Sequence, residues 1–68
     1  MAQWIREQKP GGFPIERAVL GSYGLALMHI AGAWCWLVQR DGHDMAEGVA
    51  GAAEDARLQA EAAARKLG

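Results

Sequence analysis

Apolar positions alternate along two stretches in the middle of the chain. From Tyr23 to Ile30, an extended backbone sets Leu25, Leu27 and His29 on one side and Ala26, Met28 and Ile30 on the other. From Ala33 to Arg40, the same period separates Trp34, Trp36 and Val38 from Cys35, Leu37 and Gln39. Asp41-Gly42 follows, a pair that readily supplies the positive φ angles of a two-residue hairpin turn, and predicts His43 to Ala50 as a return strand. Ala31-Gly32 joins the first two strands, so the three form an antiparallel meander. Beyond Gly51 the period changes. Ala53, Ala56, Ala60, Ala63, Ala64 and Leu67 share one side of a helix, with Glu54, Arg57, Glu61 and Arg65 opposite. Glu54 and Asp55 in the first turn and Arg65 and Lys66 in the last agree with the helix dipole, and Gly68 supplies a stop. The four-residue spacing of Arg57, Glu61 and Arg65 predicts a ladder of surface ion pairs, each adding about 0.2–0.5 kcal/mol.

The expected fold is therefore α+β: a three- or four-stranded antiparallel meander with one C-terminal helix packed on one face. The chain reads as one small domain over residues 1–68, with an N-terminal arm or loop at 1–14, the sheet at 15–50 and the helix at 52–67. Met1 to Gln8 is open to either a short strand or a helical turn, Lys9-Pro10-Gly11-Gly12 is a turn or loop, and Ile15 to Leu20 can add a strand. Both faces of this sheet are apolar, and one helix covers only one of them. The other needs the N-terminal segment with Trp4, Ile5 and Phe13, a twin subunit, or a binding partner.

Composition narrows the chemistry. The chain has 68 residues and a single cysteine, Cys35, so no internal disulfide can supplement a thin core, and association with another chain is expected. A lone thiol suits a reducing, cytoplasmic setting. There is no Thr, no Asn and one Ser, Ser22, whose Gly-Ser-Tyr-Gly context is not a nucleophile elbow. The glycines at 11, 12, 21 and 24 lead into no phosphate loop. His29, Cys35, His43 and Asp44 lack paired ligand spacing, so no metal and no cofactor is expected, and no enzyme. The net charge of −1 excludes strong non-specific attraction to nucleic acid, but it hides a partition. Asp41, Asp44, Glu47, Glu54, Asp55 and Glu61 are answered between 41 and 61 only by Arg57. With Leu58 as an apolar anchor inside that rim, these acids form the expected partner-binding surface.

The strand, the Asp41-Gly42 turn, the next strand and AEGVAGAAEDARLQAEAAARKL resemble the C-terminal two-thirds of a double-stranded RNA-binding domain, which has a meander, a Gly-bearing third strand and an alanine-rich helix. The resemblance implies topology only. That family grips phosphates with lysines at the helix start, where this chain has Ala53, Glu54, Asp55 and Ala56. In size and acidic patch the chain looks like small phage-encoded inhibitors of bacterial defence, including anti-CRISPR proteins. That resemblance implies a cytoplasmic protein partner, possessing a basic nucleic-acid-binding groove that carboxylates block by imitating phosphates. Two other expectations stand beside it. One is self-association through an apolar sheet face. The other is a single membrane span at Ala18 to Gln39, a run without charge but interrupted by Gly21, Gly24 and Gly32.

Overall fold

The computed structural model describes residues 2–7 and 14–68. Five strands follow one another in space as they do in sequence: β1 (Ile5–Glu7), β2 (Ile15–Leu20), β3 (Tyr23–Ile30), β4 (Ala33–Arg40) and β5 (His43–Ala50). All neighbours are antiparallel, and α1 (Ala53–Leu67) then runs back across one face. The architecture is the expected α+β meander, but the sheet has five strands rather than three or four and begins at Ile5 rather than Ile15. The additional strands are held by pairing rather than by propensity. Three-residue β1, exposed at every position, is a strand because Ile5, Arg6 and Glu7 pair with Arg17, Glu16 and Ile15. Residues 18–39, the span considered for a membrane helix, form parts of β2, β3 and β4, and no helix among the described residues is long and apolar enough to cross a membrane.

Turn chemistry sets the register. Asp41 and Gly42 both have positive φ, 52° and 78°, as the two-residue hairpin turn requires. Ala31 and Gly32 repeat that geometry at φ 51° and 79°, a rare conformation for alanine. Near the start of β5 the register shifts: Val38 faces Ala46 while Gln39 faces Asp44, leaving Met45 as the extra residue of a β-bulge.

The helix lies on the side to which Leu25, Leu27, Trp36 and Val38 point. Its buried alanines, Ala56, Ala60 and Ala64, let its backbone approach the sheet closely, and the bulk comes from the strands. Leu25, Leu27 and Val38 are the largest fully buried side chains, flanked by Trp4 and Trp36. The Trp36 indole lies against Gly48, its cross-strand partner, where any side chain would collide with the ring.

Polar contacts then fasten the helix to the sheet. Trp4 Nε1 donates to Glu61 Oε2 (2.8 Å), Trp36 Nε1 donates to Gln59 Oε1 (2.9 Å), and Arg57 donates twice to the Glu16 carboxylate (2.8 Å each). This corrects the predicted surface ladder. Arg57 turns to Glu16 instead of Glu61, and Glu61 is itself buried, with Arg65 at 3.8 Å as its only ion-pair partner among the described residues. A carboxylate on the inward side of the helix is satisfied because the N-terminal arm brings an indole N–H to it.

Candidate interaction surface

Because side chains alternate along strands, the ladder also assigns every residue of the face away from the helix. Ile5, Arg17, Ala26, Leu37 and Glu47 form one row across all five strands. Glu7, Ile15, Met28, Cys35 and Val49 form the row on one side of it, and Val19, Gly24, Gln39 and Asp44 the row on the other. Beyond the Cys35 row, Ile30 and Ala33 close the sheet at the β3–β4 turn. Among the described residues no helix crosses this face. Val19 is 72% exposed, Ile5 and Val49 each 62%, and Ile30 43%. Ile15, Met28, Cys35 and Leu37 are half-buried. Small residues on the central strand, Gly24 and Ala26, floor a depression of about 450 Å³ walled by Ile5, Arg17, Val19 and Gln39.

Of the residues considered to cover the second face, Trp4 packs against the helix-side core and Ile5 belongs to the uncovered face itself. Phe13 lies outside the described residues. The charges on this face are sparse. Arg17 Nε lies 3.4 Å from Glu7 on the β1–β2 side, both about half exposed, and Glu47 stands on β5 with no ion pair among the described residues.

The acidic residues singled out in the sequence do not form one cluster. Asp41 sits in the β4–β5 turn, and Asp44 beside it accepts a hydrogen bond from Gln39 Nε2 (2.7 Å). Glu54 and Asp55 occupy the first helical turn at the other end of β5. The six residues of β5 beyond Asp44, about 20 Å of strand, separate the two groups. Glu47 belongs to the open sheet face, Leu58 is 52% exposed on the outer side of the helix, and Glu61 is only 5% exposed beneath it. Asp41, Asp44, Glu47, Glu54 and Asp55 form no ion pair among the described residues.

Two shifted titrations belong to the helix clamp. The paired hydrogen bonds from Arg57 hold the Glu16 carboxyl below the usual glutamate range, against the opposing effect of burial. The same bonds raise Arg57 above its ordinary value. His29 stacks flat on Trp34, ring centroids 4.3 Å apart, and no group of three His, Cys, Asp or Glu side chains among the described residues could hold a metal ion.

Open-face residues such as Arg17, Val19 and Val49 were not among the partner-binding candidates, although the alternation had marked both faces as apolar. Their signal was the count of covering elements, one helix for two apolar faces, rather than any motif. The chain matches no protein-family model, no curated protein and no solved structure.

Proposed function

We propose that this protein is a non-enzymatic interaction module that contacts another protein chain through the open face of its sheet. One observation carries the reading: α1 covers one face of a five-stranded sheet whose two faces are both apolar, and leaves Ile5, Val19, Ile30 and Val49 in solvent. Contiguous exposed apolar surface of this kind marks an interface more often than not. Val19→Glu with Val49→Glu tests it. Both positions are exposed, so the fold and melting temperature should hold, while proteins recovered with the wild type from its native host should be lost. Recovery of the same proteins at wild-type yield would end the reading.

A second reading keeps the acidic surface as the contact, as in an inhibitor that blocks a basic nucleic-acid-binding groove. It is favoured by the absence of ion-pair partners for Asp41, Asp44, Glu47, Glu54 and Asp55 among the described residues. The same recovery experiment separates the two. Asp41→Asn, Glu54→Gln and Asp55→Asn together, all three outside the open sheet face, should weaken a salt-sensitive contact and leave an apolar one largely in place.

A further inference from the structure

The open face has a self-complementary layout. Resting on the docking reading above, we infer that its occupant is a second copy of this chain, packed face to face about a twofold axis parallel to the strands and passing near β3. Such an axis lays β1 and β2 of one copy over β5 and β4 of the other, because it reverses strand order while keeping strand direction. In the central row, Ala26 then sits near the axis, where its small side chain and that of Gly24 let the two β3 strands approach. Arg17, on one side of the row, comes over Leu37 of the second copy, one strand spacing (about 4.8 Å) from that copy's Glu47. The twofold makes this charge contact twice. Glu47 thereby gains an ion-pair partner in Arg17, whose ion pair among the described residues is an exposed contact to Glu7.

Area and stability point the same way. Three strands of eight residues, one of six and one of three give roughly 550 Å² of sheet per copy at ordinary strand rise and spacing. About this twofold the facing strands overlap over three, six, eight, six and three residues, so a pair covers roughly 850 Å², the size of a weak, concentration-dependent association rather than a permanent one. Among the described residues the largest fully buried side chains are Leu25, Leu27 and Val38, a small core, and the cysteine forms no disulfide. A second copy, always present where the first is, adds the missing apolar layer.

Sedimentation equilibrium and maleimide labelling of Cys35, which lies on the open face, test this directly. Wild-type protein should rise from 7.3 kDa toward twice that mass between about 10 µM and about 1 mM, with labelling slowed in step. Arg17→Glu and Glu47→Arg should each weaken the dimer at least tenfold, and the double reversal should restore it to within about threefold of wild type. A mass of 7.3 kDa throughout overturns the dimer. It leaves the docking reading standing if Val19→Glu with Val49→Glu still abolishes recovery of another protein. A dimer that leaves Cys35 labelling unchanged, or that neither reversal weakens, overturns this face and register as its interface.

Discussion

Gly48 shows how a single residue is fixed by what lies across the sheet. A Cβ built there would stand 2.5 Å from Trp36 Cζ2, and the ring has little room to move, since its Nε1 is bonded to Gln59 and its face is packed against the core. Gly48→Ala therefore has to displace the indole from both, and should cost about 1–3 kcal/mol, as overpacked sites do. Chemical denaturation, with tryptophan fluorescence as a probe of the ring, checks both the magnitude and the site. Unchanged stability would mean that the indole does not lie against Gly48. Ala31 illustrates the opposite case. It holds a positive φ because the β3–β4 hairpin needs it, and carries a cost of about 1–2 kcal/mol for a left-handed residue that has a Cβ.

Elements are joined here by polar contacts as much as by apolar ones, because the alanine side of α1 has little bulk to bury. The Glu16–Arg57 pair ties β2 to the helix, although β2 is separated from the strands with which the helix makes its main contacts. Its pH dependence has a definite sign. Glu16 has a folded-state pKa below the unfolded one, so its stabilisation is complete above the ordinary glutamate value of about 4.3. It is lost as pH falls from there through the lower folded value. The stabilisation that accompanies the raised value of Arg57 is fully present throughout this window, and is lost only as pH rises through the arginine range. Glu16→Gln should cost about 1–2 kcal/mol at neutral pH. The gap to wild type should close as pH falls through the lowered folded-state value of Glu16, because both proteins then carry a neutral side chain at this position. Urea midpoints measured across that range, with a gap independent of pH, would show that the ion pair contributes nothing.

For the whole molecule, one layer of helix on one layer of sheet leaves the second apolar face as the dominant surface feature. If a second copy occupies it, folding and association are linked, and the melting temperature must depend on protein concentration. A hundredfold increase should raise it by about 5 °C, from the usual conversion of association free energy into melting temperature for a domain of this size. Arg17→Glu should flatten that dependence without lowering the melting temperature of the dilute protein, since Arg17 is exposed and outside the helix-side core. Calorimetry at two concentrations is enough to see it.

Periodicity and turn chemistry were legible along the chain. The alternation in β3 and β4, the Asp41-Gly42 turn and the 3.6-residue alanine stripe are local, and each survives folding because tertiary packing has no reason to oppose it. The apolar character of both sheet faces was equally legible. Other features depend on residues far apart in sequence. β1 becomes a strand only by pairing with β2. Glu61 is an interior carboxylate because Trp4, 57 residues away, reaches it, and Arg57 leaves its helical neighbour for Glu16, 41 residues away. A run of acids in sequence became two separated groups, because the extended strand between them covers about 20 Å. Side-chain periods are written in the chain itself, whereas the choice of which face the helix covers depends on which set of long-range contacts is satisfied together. Only that choice decided where the exposed surface of this protein lies.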